Sequence, residues 1–345
     1  MKILIGISGG VDSTYAAFRL KEQGHTVEGA VLIMHEYTDL RAARAAAESV
    51  GIPLAVIDAR ERFEKCVIPN FIDEYTNART PNPCIVCNSD VKFRLLCDYA
   101  VANGFDAIAT GHYANIIKVK NDSGERYALK RADDGRKDQT YMLWRLPQDI
   151  LRMLMLPLGD MTKDQLRAEA RAHGLSSADA PDSQEICFIP DGDYVGYIEQ
   201  RTGASAAGDF VDEEGRVLGK HNGIINYTVG QRKGLGISLG SRAFVKNIDP
   251  LTNRVTVSLE PPTSETVSVS GMVFSGMEEP HEGEKRHLSV KLRYQAQPVF
   301  CTAEFLGGGR AHLVLSTPAK SLTPGQSAVL YDGDVLVAGG FIDGE

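Results

Sequence analysis

The sequence predicts an α/β domain built on a parallel sheet, followed by a small β-rich domain and a C-terminal β-barrel. Two observations support this prediction. The N-terminal half alternates apolar runs with segments of helix formers, whereas the chain after about Gly208 consists of short β-like runs separated by glycine. Alternating strands and helices are typical of a parallel sheet with helices on both faces. Short strands with glycine-rich turns are typical of antiparallel sheets and barrels.

The N-terminal half holds the predicted parallel strands and the helices between them. The strand candidates are the apolar runs at residues 2–7, 26–34, 53–59 and 106–112. Helix formers occupy residues 13–24, 39–51 and 91–104, and each of these segments ends in glycine, a common helix stop. Thr162 and Gln165 have the spacing of a capping box, so a further helix is predicted to start there.

The C-terminal part is predicted to be antiparallel β structure. The β-like runs are residues 208–219, 253–259, 286–294, 311–316 and 327–342. Residues 260–266 have the composition of a linker, with two prolines and three hydroxyl side chains. We therefore expect three domains, at residues 1–195, 196–262 and 263–345.

Composition restricts the class of protein. The 345 residues are 43% hydrophobic and 24% charged, as in ordinary globular proteins. The N-terminal apolar run breaks at Gly9 and is too short for a signal peptide or a membrane span, so a cytoplasmic protein is expected. Six unevenly spaced cysteines favour thiolate chemistry or metal binding over a secreted disulfide framework. The net charge of -8 argues mildly against a nucleic-acid partner.

A glycine-rich turn follows the first predicted strand. The stretch GISGGVDS consists of Gly6, Ile7, Ser8, Gly9, Gly10, Val11, Asp12 and Ser13. The backbone N–H groups of such a turn, at the start of a helix, favour an anion. The turn is neither a Walker A loop, since no Gly-Lys-Ser/Thr follows, nor a G-x-G-x-x-G motif. It resembles the PP-loop of the ATP pyrophosphatases, and an ordinary strand-to-helix turn is the alternative.

The PP-loop resemblance implies a reaction type. Enzymes with this loop hold the pyrophosphate of ATP, cleave between the α and β phosphates, and transfer AMP to a carbonyl oxygen that then becomes a leaving group. On this resemblance Asp12 helps to orient Mg²⁺ or phosphate, while Ser8 and Ser13 supply hydrogen-bond donors. Several such enzymes act on small metabolites, so the loop by itself does not identify the substrate.

Two cysteine segments are the candidates for thiol chemistry. Cys84 and Cys87 lie in NPCIVCN, and Cys187 lies about a hundred residues later in DSQEICF. Both segments are polar and are interpreted as loops with partly exposed, reactive thiols, whose pKa the loop backbone and neighbouring cations could lower. The other three cysteines, Cys66, Cys97 and Cys301, are interpreted as small buried hydrophobic residues.

Further motifs extend the resemblance over nearly the whole chain. They are TGHYA at 110–114, KDQTYML at 137–143, YTVGQRKGLG at 227–236, VKLRYQ at 290–295 and LTPGQSAVLYDGD at 322–334. With the PP-loop and the two cysteine segments, this combination resembles the tRNA-specific 2-thiouridylases. The resemblance implies ATP-dependent replacement of the C2 oxygen of the wobble uridine by sulfur, in tRNAs for lysine, glutamate and glutamine.

The same resemblance implies roles for individual residues. ATP and Mg²⁺ are expected at the PP-loop together with Met34 and Gly111, and the target base at Asn82, Pro83 and Cys84. The other expected tRNA contacts are His112, Lys137, Asp138, Gln139, Arg293, Tyr294 and Gln326. The expected partners are tRNA, bound through its anticodon stem-loop, and a cysteine desulfurase or sulfur-relay protein as sulfur donor.

Two sulfur-transfer schemes remain open. In the scheme implied by the resemblance, Cys187 carries sulfur as a persulfide and Cys87 resolves it, leaving a Cys87–Cys187 disulfide. Many relatives have Asp where this chain has Cys84, so the three thiolates of Cys84, Cys87 and Cys187 could instead hold a [4Fe-4S] cluster with one open iron. Zinc would need a fourth ligand, for which His112 is a candidate. A thioredoxin-like switch is less favoured, because the prolines of RTPNP disfavour a helix at that point.

Two other functions remain as alternatives. The first is a PP-loop ligase or amidotransferase that acts on a small metabolite and does not need Cys187. The second is a non-enzymatic RNA-binding module in which the β domains hold tRNA and the PP-loop is vestigial.

Overall fold

The fold comes from a computed structural model that describes residues 1–121, 124–178, 186–237 and 241–344. Within these ranges, no helix combines the length and the apolar character needed to cross a membrane.

The first part of the chain alternates strands and helices as predicted. Its elements are β1 Lys2–Gly6, α1 Val11–Glu22, β2 Thr26–Ile33, α2 Leu40–Val50, β3 Leu54–Asp58, α3 Arg60–Thr76, α4 Pro83–Val86, α5 Phe93–Ala102 and β4 Ala107–Ala109. A π-helical turn, Cys87–Lys92, joins α4 to α5. After β4 come β5 Asn115–Asn121, β6 Gly124–Lys130, a 3₁₀ turn at Thr140–Met142, α6 Gln148–Met153, β7 Leu154–Met155, α7 Lys163–Ala172 and α8 Tyr194–Thr202.

Five of these strands form the predicted parallel sheet. Their order is β3-β2-β1-β4-β7, and every adjacent pair is parallel. Side chains of β1 alternate between two cores: Leu4 packs into one, and Ile3 and Ile5 pack into the other. The sheet is thus covered on both faces, which confirms the predicted α/β architecture. Because β4 ends at Ala109, residues 110–112 lie beyond the strand, at the carboxyl edge of the sheet.

Helix α3 was not anticipated from the sequence. It runs for 17 residues although Pro69 lies inside it, and its buried side chains include Phe63, Val67 and Phe71. A proline in a helix interior removes a backbone donor and normally breaks the helical pattern. Here burial of a large aromatic face compensates for that cost, which local sequence rules cannot show.

The central β domain is a four-stranded sheet. Its strands are β8 Gly208–Val211, β9 Val217–His221, β10 Phe244–Asp249 and β11 Arg254–Ser258, in the order β10-β11-β8-β9. Strands β8 and β11 pair in parallel, so the prediction of wholly antiparallel structure is wrong at this pair. The long connection between them permits this arrangement, since parallel neighbours need a crossover.

The last six strands close into a barrel. They are β12 Thr263–Val273, β13 Lys285–Lys291, β14 Val299–Gly307, β15 Arg310–Lys320, β16 Ser327–Asp332 and β17 Val335–Ile342. The antiparallel order β12-β15-β14-β13-β16-β17 is completed by pairing of β12 with β17, which confirms the predicted C-terminal barrel. The hairpin β5–β6 lies much earlier in the sequence. It pairs with barrel strand β17, where Val335 lies opposite Lys130.

A short segment before the first cysteine pair contacts both β domains. The Thr80 N–H donates to the Pro324 carbonyl oxygen at 2.8 Å, and Gln326 Nε2 donates to the Thr80 carbonyl oxygen at 2.8 Å. The Thr80 hydroxyl also lies 3.1 Å from that of Thr228 in the central domain. The position of Asn82 and the cysteines that follow is therefore set by all three parts of the chain.

Candidate active site

The phosphate loop lies between β1 and α1. Gly9 has φ +86°, and a Cβ on it would lie 2.6 Å from the Ala42 Cβ, so glycine is required. The Ser13 hydroxyl donates to the Gly10 carbonyl oxygen at 3.1 Å and accepts the Ser8 N–H at 3.2 Å. The side chains of Ile7 and Val11 are buried in the core, so these two residues can offer a ligand only their backbone. The loop thus leads into the N-terminus of α1, where backbone N–H groups and the helix dipole favour an anion.

Gly111 packs directly against this loop. A Cβ at Gly111 would lie 2.7 Å from both the Asp12 carbonyl carbon and the Ser13 backbone nitrogen. Backbone therefore touches backbone here, and the segment after β4 supports the start of α1. The structure places Gly111 beside the PP-loop, where the family resemblance implied an ATP contact.

Asp12 is held by two residues that sequence reasoning missed. Lys163 Nζ donates to both Asp12 carboxylate oxygens, at 2.7 and 2.8 Å, and the Tyr113 hydroxyl donates to Asp12 Oδ1 at 2.8 Å. Lys163 is the first residue of α7, after the Thr162–Gln165 capping box, which is present as predicted. The sequence did contain a signal for Lys163. A lysine directly after the capping residue is unusual, because the N-terminal turn of a helix favours acidic and not basic residues.

The CxxC segment is helical, not a loop. Helix α4 begins at Pro83, and the π-helical turn continues it from Cys87 to Lys92. The expectation that the prolines of RTPNP disfavour a helix here is wrong, because proline is favoured at the first helical position, where its missing N–H is not needed. Short π-helical turns are frequent at functional sites.

The three candidate thiols lie near one another. Cys87 is buried, and its Sγ lies 3.5 Å from Met34 Sδ at the end of β2. Cys84 and Cys187 are solvent-exposed, so the interpretation of partly exposed thiols is wrong only for Cys87. Charge on Cys187 or Cys84 raises the pKa of Cys87, and charge on Cys84 raises the pKa of Cys187. The three thiols are therefore within electrostatic reach of one another.

Loss of water around the sulfur atoms makes all three thiols weaker acids than free cysteine, although the residues Cys84 and Cys187 are themselves exposed. This desolvation raises the pKa of Cys87 to about 12 and raises the pKa of Cys84 and Cys187 as well, while the nearby Lys92 ammonium acts in the opposite direction on all three. The expectation that backbone and cations give a net lowering is wrong, because removal of water from the thiolate outweighs one ammonium. Cys97 and Cys301 are buried and Cys66 is half-buried, in keeping with a packing role.

Aromatic packing fixes the segment that carries Cys187. The ring of the adjacent Phe188 lies 5.4 Å from Phe63, 5.3 Å from Phe71 and 5.4 Å from Tyr197, in edge-to-face contacts. These partners belong to α3 and α8, so two helices hold Cys187 next to the other thiols. Residues 182–185 of the same motif lie outside the described part of the chain.

The three thiols are also the candidate ligands of a metal site. Within the described ranges, no three His, Cys, Asp or Glu side chains are grouped so that they could hold a metal ion. Cys84, Cys87 and Cys187 are near one another but do not form such a group in this conformation, and His112 does not complete one. This arrangement of side chains gives an iron–sulfur or zinc site no support, and we derive no step through either.

Two of the expected tRNA contacts face the interior. Asp138 is 4% exposed, and its Oδ1 accepts from the Thr140 N–H at 3.2 Å and the Thr140 hydroxyl at 2.9 Å. Its carboxylate organises a turn and faces the protein interior, while its role as a tRNA contact stays a prediction. His112 is partly buried, with Nδ1 2.8 Å from the Thr110 hydroxyl oxygen. Burial lowers the pKa of His112 to about 3, so the ring is neutral and offers no cation to a phosphate.

The remaining expected tRNA contacts are at or near the surface. Arg293 is exposed and donates to the Thr323 hydroxyl at 2.7 Å, and Tyr294 packs beside Tyr141. Three others are partly buried and also stabilise the fold: Asn82 Nδ2 donates to Met142 Sδ, Gln139 Oε1 accepts the Tyr113 N–H, and Gln326 holds residues 80 and 81. Lys137 is partly buried as well.

The neutral His112 predicts a pH-dependent stability. The unfolded chain takes up a proton on this ring near pH 6.5, whereas the folded protein does so only near pH 3, so stability is lost as the pH falls below about 6.5. Between pH 7 and pH 5 the free energy of unfolding should fall about 2 kcal/mol more in the wild type than in His112→Asn. Urea denaturation at both pH values measures this, and equal losses in the two proteins would contradict it.

Comparison with known proteins agrees with the three-part architecture described above. Family models match along the chain: a tRNA methyl transferase HUP domain at residues 1–191, a tRNA methyl transferase PRC-barrel domain at 196–259, and an aminomethyltransferase β-barrel domain at 264–342. A solved 4-thiouridine synthetase–RNA complex is 17% identical, with a TM-score of 0.35 over 58% of this chain and 50% of that one. A similarity this low supports no conclusion about function.

The alignments with two curated relatives extend over nearly the full length of this chain and of each relative. A protein of Acetivibrio thermocellus, named tRNA-specific 2-thiouridylase MnmA, is 43% identical over 99% of this chain and 99% of its own length. A protein of the same name from Carboxydothermus hydrogenoformans is 43% identical over 99% of this chain and 97% of its own. The shared length includes the phosphate loop, both cysteine segments and both β domains. The chain therefore belongs to the family of tRNA-specific 2-thiouridylases.

Proposed function

We propose that the protein catalyses ATP-dependent 2-thiolation of the wobble uridine in tRNAs for lysine, glutamate and glutamine. The observation that carries this proposal is the 3.5 Å contact between Cys87 Sγ and Met34 Sδ. Met34 follows β2, the neighbour of β1, so the thiols stand at the same carboxyl edge of the sheet as the phosphate loop. An activating site and a sulfur-transfer site thus lie along one edge of the sheet, as thiolation of an activated base requires.

The first half of the reaction is activation of the base. The C2 oxygen of uracil is a poor leaving group, and attack of this oxygen on the α-phosphorus of ATP releases pyrophosphate and leaves the oxygen bonded to AMP. The backbone donors of residues 8–13 receive the phosphates, and the Asp12 carboxylate is the oxygen ligand suited to Mg²⁺. In this proposal Asn82, Pro83 and Cys84 meet the uridine once it leaves the base stack of the anticodon loop.

Sulfur transfer follows in two balanced steps. The terminal sulfur of a Cys187 persulfide attacks C2, and the bond from C2 to the oxygen breaks with AMP as the leaving group. The Cys87 thiolate then attacks Cys187 Sγ, which breaks the bond between Sγ and the transferred sulfur and forms a Cys87–Cys187 disulfide. The charge of Cys187 raises the pKa of Cys87, and this proximity supports the pairing. An external thiol reduces the disulfide before the next cycle.

A cluster of the [4Fe-4S] type, ligated by Cys84, Cys87 and Cys187, is the alternative sulfur carrier. It remains a hypothesis because of the third cysteine, and no step above passes through it. Anaerobic purification with iron and sulfide analysis distinguishes the schemes. A colourless, iron-free protein that thiolates tRNA from a persulfide donor removes the cluster, whereas parallel loss of iron and activity in Cys84→Ala supports it.

The partners and the setting follow from the same reaction. The tRNA is held by its anticodon stem-loop, with Arg293, Tyr294 and Lys137 as surface contacts, and a cysteine desulfurase or relay protein supplies the sulfur. Six free thiols suit the reducing cytoplasm. We place the domain boundaries at residues 1–195, 196–262 and 263–345.

Reconstitution with purified components tests the proposal. We expect AMP, pyrophosphate and 2-thiouridine at the wobble position when the protein receives ATP, Mg²⁺, unmodified glutamate tRNA and a persulfide donor, measured by nucleoside mass spectrometry. The same tRNA with cytidine at the wobble position is the matched control and should yield no thiolated base. AMP formation that needs a soluble metabolite and ignores tRNA would instead favour the small-molecule ligase.

A further inference from the structure

Two cationic side chains are enclosed where the hairpin β5–β6 meets the C-terminal barrel. Arg131 directly follows β6, and its backbone N–H donates to the Asp334 carbonyl oxygen of the barrel at 2.9 Å. Its guanidinium lies over the Tyr331 ring, 4.3 Å from the ring centre. Lys291 is the last residue of β13 and is 8% exposed, and its ammonium lies 5.7 Å from the centre of the Tyr294 ring. Neither cation was among the site residues expected from the sequence.

The hydrogen-bond donors of these cations are unused. Arg131 Nε and Nη2 are buried and have no hydrogen-bond partner in the described part of the chain. Among the same residues we find neither a hydrogen bond nor an ion pair for the Lys291 ammonium, which has only its contacts with the rings of Tyr141 and Tyr294. Buried polar groups are normally paired, and a charged donor is the most costly to leave unpaired. Unused donors on two buried cations therefore point to an anionic ligand.

One carboxylate faces the two cations. Burial lowers the pKa of Lys291, the charge of Asp138 acts in the opposite direction, and the charge of Arg131 lowers the pKa further. Asp138 is already engaged, since its Oδ1 accepts the Ala132 N–H at 3.3 Å and the Thr140 hydroxyl at 2.9 Å. Two positive charges thus face one negative charge, and a second anion would complete the balance.

The cluster adjoins both motifs that the proposed function assigns to tRNA. Tyr294, whose ring the Lys291 ammonium faces, follows the exposed Arg293 of the barrel. Asp138 belongs to the motif at 137–139 of the α/β domain, and its charge acts on Tyr294. An RNA that touches both motifs passes the cluster that lies between them. The anion that RNA presents along its whole backbone is phosphate.

We propose, resting on the tRNA-dependent function above, that Lys291 and Arg131 together bind one backbone phosphate of the tRNA at the junction of the α/β domain and the barrel. The Arg131 Nε and Nη2 donors share one edge of the guanidinium, which suits two oxygens of the same phosphate. The Lys291 ammonium supplies a further donor, and Asp138 keeps the other positive charge balanced. Inorganic phosphate offers the same oxygens, so the experiment separates the two sources.

The salt dependence of tRNA binding to the full-length protein tests this site. Lys291→Met removes a phosphate contact, so tRNA affinity should fall about tenfold at low salt. The slope of log affinity against log salt concentration should become shallower by about one unit. Lys291→Arg keeps the charge and should keep most of the slope. Filter binding over a salt series measures both quantities, whereas a packing defect would lower affinity without changing the slope.

Lys285→Met is the matched control. Lys285 lies on the same strand, about 20 Å from Lys291, and pairs with Glu304 at 3.0 Å. The substitution changes the net charge by the same amount, and the slope should stay that of the wild type. An unchanged slope in Lys291→Met, or an equal change of slope in both variants, overturns the proposal.

Inorganic phosphate distinguishes a tRNA phosphate from a free anion. If Lys291→Met loses phosphate binding in calorimetry but keeps the wild-type salt slope for tRNA, the site takes a free anion and the tRNA contact is overturned. Pyrophosphate affinity at the phosphate loop reports whether the variant keeps its α/β domain intact. Thiolation by the wild type is assayed separately, so absence of 2-thiouridine contradicts the proposed function, whereas an unchanged slope contradicts this site alone.

Discussion

Replacement of either proposed sulfur-transfer cysteine should abolish thiolation while sparing activation. Cys187→Ser and Cys87→Ser are each expected to lower 2-thiouridine formation at least about a thousandfold, as for loss of a nucleophile. The phosphate loop is untouched, so pyrophosphate affinity should remain that of the wild type. Radiolabelled persulfide separates the two roles, because Cys87→Ser should still take up sulfur on Cys187, whereas Cys187→Ser should not.

Cys66→Ser is the matched control for these variants. Cys66 is half-buried in α3, which also contributes Phe63 and Phe71 to the packing around Phe188. It should keep both sulfur uptake and thiolation. Full activity of Cys187→Ser with a persulfide donor would contradict the persulfide scheme and favour a PP-loop enzyme of another kind.

Gly111→Ala is expected to disrupt the ATP site severely, because Gly111 supports the phosphate loop by direct backbone contact. The added methyl group would lie 2.7 Å from backbone atoms of Asp12 and Ser13, which is closer than non-bonded atoms approach. The overlap can be relieved only by moving the loop or the segment after β4. Since a displacement of about 1 Å costs about a hundredfold in well-placed sites, we expect ATP binding to weaken about a hundredfold.

Gly135→Ala adds the same methyl group in a harmless place. A Cβ at Gly135 meets no atom within 4 Å, and its φ lies outside the range that disfavours other residues. ATP affinity of this variant should equal that of the wild type. Binding of tRNA by Gly111→Ala, measured by filter binding, reports whether the fold persists, and wild-type ATP affinity in this variant would contradict the close packing of loop and strand end.

Much of the architecture could be predicted because it depends on patterns of residues that are close together in the sequence. Apolar runs separated by helix formers gave the parallel sheet, and glycine-punctuated strands gave the barrel. The two helices that were not predicted both contain proline, and both depend on their surroundings in the folded protein. Helix α3 continues through Pro69 because its aromatic face is buried, and α4 begins at Pro83 because proline suits a helix start. Neither outcome is visible without the neighbours of those residues.

The candidate site divides in the same way. The phosphate loop and the two cysteine segments are contiguous motifs, and their residue types indicated their chemistry directly. The predicted exposure of the thiols is correct for Cys84 and Cys187 but wrong for Cys87, because burial depends on elements far away in sequence. The burial of the Asp138 side chain was not anticipated for the same reason, since its hydrogen bonds turn it inward.

The sequence by itself determined the family, the order of the domains and the position of the phosphate loop, because each depends on residues close together in the chain. Only the tertiary structure decided which distant residues meet. Lys163 reaches Asp12 across 151 positions, and Gly111 touches the same loop from the end of β4. The physical reason is the strand order: β1, β4 and β7 lie side by side in the sheet, which brings the segments after their carboxyl ends together.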